Sequence, residues 1–167
     1  MIVICMDDEK IVRAQLISFL KGGNAHLDFD EAIADFPIHE INNTVKDGKF
    51  TPWQLLEHMR IAQWDILDYI RNPDYKEMEW PKDYWPEKSR NATEKDWHKT
   101  IADFKKDSEE LQGIVKDPKT NLFSNVANGD DATIVREILL VVDHNAYHIG
   151  QFAMMRRAMG TWGKDHS

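Results

Sequence analysis

Apolar residues recur at helical spacing in four long stretches of the chain. The first stretch covers residues 7–21, where Ile11, Leu16 and Leu20 fall near one side of a helical wheel. Acidic residues fill its first turn and a Gly-Gly pair follows Lys21, and both features are typical of helix ends. The pattern predicts a helix over 7–21.

The second stretch begins with a strong start signal. Thr51 can cap a helix, Pro52 suits the first helical position, and Gln54 completes a capping box with Thr51. Pro73 limits the helix at its other end. A helix is therefore expected from residue 51 or 52 to about 71.

Two further helices are expected in the second half of the chain. The third spans about 94–116 and ends before Pro118, and the fourth spans about 134–159 between a Thr133 cap and Gly160. Four long helices in a chain of 167 residues predict an all-α protein, a four-helix bundle forming one domain over residues 1–167.

The segments between the first three helices carry different signals. Residues 24–49 include a short helical piece that Pro37 interrupts. Residues 72–92 are rich in proline, tryptophan and charge, and they predict a long ordered loop.

Composition narrows the classes of function. A net charge of -8 argues against nucleic-acid binding, which needs clustered lysine and arginine, and favours small neutral or cationic substrates. Apolar runs fall short of the roughly 20 residues of a membrane span, and the apolar start lacks a basic lead, so we expect no membrane association and a cytoplasmic location. The single cysteine, Cys5, excludes an internal disulfide framework and receives no catalytic role.

Two histidines lie four residues apart in the stretch HNAYHIGQ, residues 144–151. On the wheel of the fourth helix, His144 and His148 lie within an apolar stripe that includes Leu140 and Phe152. His58 lies at the margin of the apolar face of the second helix. All three imidazoles are therefore expected to face the interior.

Two interpretations of these histidines remain open. Seven histidines in the chain give roughly 0.3 pairs at this spacing by chance, so ordinary core histidines with hydrogen-bond partners are one interpretation. The other is a divalent metal bound by both rings and by His58, since spacing i, i+4 brings two rings to one point. Three protein ligands leave an open coordination position, which is typical of catalytic zinc sites.

The chain also resembles the DinB-like superfamily of metal-binding four-helix proteins, which is related to YfiT-like thiol transferases and mycothiol-dependent maleylpyruvate isomerases. The resemblance runs through GGNAHLDFDEAIADFP (22–37), TPWQLLEHMRIAQWDILDYI (51–70), WPKDYWP (80–86), DPKTNLF (117–123) and TIVREILLVVDHNAYHIGQFAMMRRAMGTW (133–162). It implies a metal triad matched here by His58, His144 and His148. This chain departs from the family at Asn128, near which related sequences often carry a histidine.

A site of three neutral imidazoles predicts a particular chemistry. The ion keeps its full +2 charge, so it acidifies a bound water or thiol. We expect zinc first and nickel second, with a low-molecular-weight thiol as a candidate cofactor. The corresponding function is a metal-dependent thiol (S-)transferase or hydrolase for a small molecule; a non-catalytic metal-binding or protein-interaction module is the alternative. A metal-free bundle and a homodimer both stay open.

Further polar residues are candidates for supporting roles. Gln151 lies on the metal line, and Asp143 and Glu57 are candidates to orient a ring N–H, although ordinary surface contacts are the favoured interpretation of these two acids. For His26 a loop hydrogen bond is favoured over an approach to the pocket.

The remaining candidates receive structural interpretations. The aromatic loop 80–86 either seals a flank of the helices or lines a substrate pocket, and sealing is favoured. Arg156 and Arg157 suit a helix C-terminus. His39, His98 and His166 are expected at the surface.

Overall fold

All the helices and turns described below come from a computed structural model, which describes residues 6–127, 129 and 131–162, with side chains from residue 8 onward. Regular secondary structure in these residues is helical, without a strand. The α-helices are α1 (Met6–Lys21), α2 (Phe29–Ile33), α3 (Pro52–Arg71), α4 (Glu94–Lys116) and α5 (Ile134–Met159), with short 3₁₀ helices at Ile38–Glu40 and Lys82–Tyr84. The expected all-α class is confirmed for this part of the chain.

The ends of α3 form as the sequence predicts. The Thr51 hydroxyl accepts a hydrogen bond from the Gln54 backbone N–H at 3.2 Å, and the Thr51 backbone N–H donates to Gln54 Oε1 at 3.0 Å. This reciprocal pair uses donors that a helix start otherwise leaves unsatisfied. It fixes the start of the helix that carries His58.

The ends of α5 also follow local rules. The Thr133 hydroxyl accepts from the Arg136 backbone N–H at 3.3 Å, and the helix ends at Gly160, whose φ of 64° is left-handed. Glycine adopts this conformation without the steric cost that a Cβ brings. The predicted bounds of α5 are confirmed.

The long helices enclose two apolar clusters. Both α1 and α3 contact α4 and α5, while α2 contacts α5. One cluster includes Leu56 and Ile149, and the other includes Leu67 and Val141. On α3 and α5, the buried polar residues include His58, Gln63, Asp65 and His148.

Two apolar residues that the wheel assigned to buried stripes are exposed. Ile11 is 55% exposed on α1, where Leu16 makes the buried contact, and Leu140 is 36% exposed on α5. A helix buries a narrower strip than its apolar stripe when its neighbours cover only part of that stripe.

Three further expectations concern residues outside the described part of the chain, namely Cys5, Asn128 and His166. Within the described residues, no helix combines the length and apolar character needed to cross a membrane.

Candidate metal centre

Side chains from two helices converge at one point between α3 and α5. His58 Nε2 lies 3.2 Å from His148 Nε2 and 3.3 Å from His144 Nε2. One nitrogen from each ring falls within 4.8 Å of the other two, and no other group of three histidine, cysteine or acidic side chains does so in the described residues. The structure thus brings together the three histidines that the sequence singled out.

Hydrogen bonds on the far side of two rings fix their tautomers. His58 Nδ1 lies 2.8 Å from the Tyr84 carbonyl oxygen, and His148 Nδ1 lies 2.8 Å from Gln151 Oε1. Gln151 Nε2 in turn donates to the Tyr147 hydroxyl at 2.9 Å. With the Gln151 amide in this orientation both acceptors lack a proton, so each Nδ1 carries the hydrogen and each Nε2 presents a lone pair.

Burial keeps these rings neutral. His58 is 2% exposed and His148 is 7% exposed. Burial lowers the pKa of His58, although the hydrogen bond to Tyr84 opposes this shift. Burial is also the main cause that lowers the pKa of His144 to about 4 and that of His148 to about 4. All three are therefore neutral at pH 7 and available as ligands.

The distances between the nitrogens fit a small divalent ion. Tetrahedral coordination with metal–nitrogen bonds of 2.0 to 2.1 Å separates neighbouring nitrogens by about 3.3 to 3.4 Å. The two nitrogen–nitrogen distances from His58 are 3.2 and 3.3 Å. These two distances suit zinc or a similar small ion, and all three ligand atoms lie within 4.8 Å of one another.

The aromatic loop lies against the histidines. The Trp85 ring stacks on His58 with a centroid distance of 3.9 Å and an interplanar angle of 4°, and it also stacks on Phe50 at 5.2 Å. Trp80 presents an edge contact to His58 at 6.4 Å while remaining 67% exposed. The loop therefore seals a flank, as favoured from the sequence, and also forms a wall of the site.

Asp65 holds the same loop from α3. The Tyr84 hydroxyl donates to Asp65 Oδ2 at 2.6 Å, and the Tyr75 hydroxyl donates to Asp65 Oδ1 at 2.9 Å. Burial raises the pKa of both phenols, and the hydrogen bonds to Asp65 raise it further, so both remain proton donors. Tyr84 thus connects Asp65 through its side chain to His58 through its carbonyl.

A cleft lies along the groove between α3 and α5, and its lining does not include the three histidines. It has a volume of about 590 Å³ and is lined by residues that include Asp65, Tyr84, Glu137 and Leu140. Tyr84 is shared with the His58 contact, and Leu140 lies one helical turn before His144. The volume lies within the range of small-molecule sites.

No protein-family model matches the chain, and comparison with curated proteins and with solved structures gives no match either. The geometry of the histidines therefore carries the functional argument.

The structure also places the supporting candidates. Gln151 orients His148, as proposed from its position on the metal line. Glu57 instead binds Arg60 and the Thr100 hydroxyl, and Asp143 is exposed. These two acids follow the favoured interpretation of ordinary contacts.

The other basic candidates follow their favoured structural interpretations. His26 is exposed and its Nδ1 lies 2.7 Å from the Leu27 carbonyl oxygen, while the side chains of His39 and His98 are exposed. Arg156 donates to three backbone carbonyl oxygens, which makes it part of the fold.

Sequence reasoning missed two residues of the site. Tyr84 acts on His58 through its backbone carbonyl, a group that every residue carries, so no side-chain pattern signals it. Asp65 left a weak signal, because it lies seven residues after His58 on the same helix and hence near the same face.

Proposed function

We propose that residues 1–167 form one DinB-like four-helix bundle in which His58, His144 and His148 bind one divalent ion, with zinc preferred over nickel. The proposal extends to a metal-dependent enzyme, a thiol (S-)transferase or hydrolase acting on a small molecule.

One observation carries the metal proposal. The Nε2 atoms of His58 and His148 face each other at 3.2 Å while each Nδ1 is already engaged as a donor. Two lone pairs at that distance repel each other. With Gln151 Oε1 facing His148, a proton on His144 Nε2 satisfies its own contact with His58 but leaves the His148 lone pair without a donor. A shared cation satisfies all three nitrogens.

The surroundings support an enzyme that uses an external nucleophile. A divalent ion bound by three neutral imidazoles lowers the pKa of a coordinated water or thiol. Trp85 shields His58 from water on one ring face. None of the described side chains that hydrogen-bond to or stack on the three histidines is a cysteine or serine. The nucleophile is therefore a water or a low-molecular-weight thiol from solution.

The cleft that Tyr84 lines supplies space for the second reactant. Its charged lining consists of Asp65, Glu77, Glu137 and a single cation, Arg136. This excess of acid favours a neutral or cationic small molecule over an anion.

Metal analysis is the first test. Gently purified protein is expected to contain about one divalent ion per chain, and His148→Ala is expected to lose it. His98→Ala is the matched control, because that ring is exposed on α4 and should leave metal content unchanged. Metal content well below half an ion per chain, without uptake on titration, would overturn the metal proposal.

Cobalt substitution tests the enzymatic part. Addition of a simple thiol to the cobalt protein should produce a sulfur-to-metal charge-transfer band that His148→Ala abolishes. Thiols and electrophilic acceptors, followed by ester and amide substrates, then separate a transferase from a hydrolase. Stable metal binding without either activity would leave the alternative, a non-catalytic metal-binding module.

A further inference from the structure

The outer face of α5 is apolar at its centre and exposed. Leu140, Asp143, Tyr147, Gly150, Met154 and Arg157 follow one another at spacings of three or four residues, and all six are exposed. Tyr147 is 64% exposed and Met154 is 62% exposed. Single exposed apolar residues are ordinary, whereas three on one helix face, Leu140, Tyr147 and Met154, are typical of a contact surface.

Gly150 lies in the middle of this row, and no neighbouring atom among the described residues excludes a side chain at this position. A Cβ built at Gly150 meets no atom within 4 Å, and its φ is not in the left-handed region. Glycine weakens a helix interior relative to alanine, so the fold alone favours a larger residue here. The absence of a side chain at Gly150 would permit close approach of a second backbone from outside.

The charges on the face are arranged symmetrically about that glycine. Asp143 precedes Gly150 by seven residues and Arg157 follows it by seven. Neither forms an ion pair with another described residue; the Arg157 guanidinium lies near the Met154 sulfur and over the Trp162 ring. A two-fold axis through Gly150 places each Asp143 opposite Arg157 of a second copy.

Tyr147 adds an apolar contact to the same arrangement. Its hydroxyl accepts a hydrogen bond from Gln151, so the polar tip is satisfied and the ring remains exposed. In the antiparallel arrangement this ring lies near Met154 of the second copy, and sulfur–aromatic contacts are favourable.

We propose that the protein forms a two-fold symmetric homodimer in which the outer faces of two antiparallel α5 helices cross at Gly150. The apolar row supplies the buried surface, Gly150 permits the close crossing, and two Asp143–Arg157 pairs set the register. The proposal does not depend on the metal site.

Substitution at the crossing point gives the first test. Gly150→Gln should weaken dimerisation by at least about tenfold in sedimentation equilibrium, because the added side chains collide at the axis. Gly113→Gln is the matched control, since Gly113 is also an exposed helical glycine whose added Cβ meets no atom within 4 Å. Both variants should keep or increase helical content, and only Gly150→Gln should shift the protein to monomer.

Charge reversal tests the register. Asp143→Arg and Arg157→Asp should each weaken the dimer by about tenfold or more, and the double variant should restore it. A wild-type protein that stays monomeric up to high micromolar concentration would overturn the proposal. A dimer that survives Gly150→Gln and both single reversals would also overturn it, because it would use another surface.

Discussion

Two groups of buried polar side chains connect α3 to α5, and their hydrogen bonding differs in kind. Gln63 is 1% exposed and uses both ends of its amide: Nε2 donates to the Phe104 carbonyl oxygen at 2.7 Å, and Oε1 accepts from Asn145 Nδ2 at 2.9 Å. Each contact joins a donor to an acceptor. This is the usual way in which a core holds a polar side chain.

Two of the histidines, His58 and His148, are also buried, but they bring acceptors together. His58 and His148 use their only donors, the Nδ1–H groups, on Tyr84 and Gln151, so their Nε2 lone pairs point at each other. A buried group left without a partner costs about 1 to 3 kcal/mol. The contrast is that the Gln63 amide meets both a donor and an acceptor within the chain. The histidine lone pairs would instead be paired by the cation that we propose.

The largest expected effect is on metal affinity, which should depend on the histidines and not on Gln63. His58→Ala should weaken metal binding by more than about 100-fold, which exceeds the usual loss for an outer hydrogen-bonding partner. Gln63→Leu should leave the metal dissociation constant unchanged. Competition titration against a chromophoric chelator measures both variants.

Circular dichroism supplies the control for His58→Ala. The variant should remain helical, because the apolar clusters supply most of the stability. If it unfolds while metal-stripped wild type stays folded, His58 is a packing residue and the contrast with Gln63 fails.

The second prediction concerns pH in the chelated protein. Unfolded histidines titrate near 6.5, while the folded pKa values of His144 and His148 are both about 4. Between these values the unfolded chain binds more protons, so stability is full above pH 6.5 and falls as the pH decreases toward 4. The loss is at most about 1.4 kcal/mol per pH unit for each histidine.

Urea unfolding at several pH values in the presence of chelator checks this slope. The double variant His144→Gln, His148→Gln should lose most of it. An equal slope in the double variant and in wild type would show that other groups cause the pH dependence.

A smaller effect is expected when Gln63, whose amide is hydrogen-bonded at both ends, is replaced; this effect is on the stability of the fold. Gln63→Leu preserves much of the side-chain volume but leaves the Phe104 carbonyl and Asn145 Nδ2 without this partner. The free energy of unfolding should fall by about 1 to 3 kcal/mol. Denaturant titration measures the change, and a variant as stable as wild type would show that water replaces the lost partner.

The helices were predictable because their signals are local. The Thr51 and Thr133 caps and the Gly160 stop each act through a few neighbouring residues, and the observed bounds of α3 and α5 follow them. The solvent exposure of individual apolar side chains was less predictable. Leu140 lies within the apolar stripe of α5, yet it borders the cleft, because the position of the neighbouring helices decides which part of a stripe is covered.

The site was predictable only in part for the same reason. The two histidines of α5 share one helix, so their spacing already places them together, and His58 follows once α3 is amphipathic. Tyr84 lies 26 residues from His58 in the chain and meets it through a backbone atom. Such a contact depends on the path of loop 72–92, which no periodic pattern specifies.

The smallest expected effect tests how the loop supports the proposed metal ligands. Tyr84→Phe removes the hydroxyl that donates to Asp65 and keeps the carbonyl that accepts from His58. Because the loop loses an anchor, His58 should be held less firmly, and metal affinity should fall by about tenfold, the lower end for outer partners. Tyr75→Phe is the matched control: it removes the other hydrogen bond to Asp65 without touching the residue that contacts His58. Chelator competition and the visible spectrum of the cobalt protein should both change in Tyr84→Phe and remain at wild-type values in Tyr75→Phe. Equal changes in the two variants would show that Asp65 stabilises the loop in general and does not orient His58 through Tyr84.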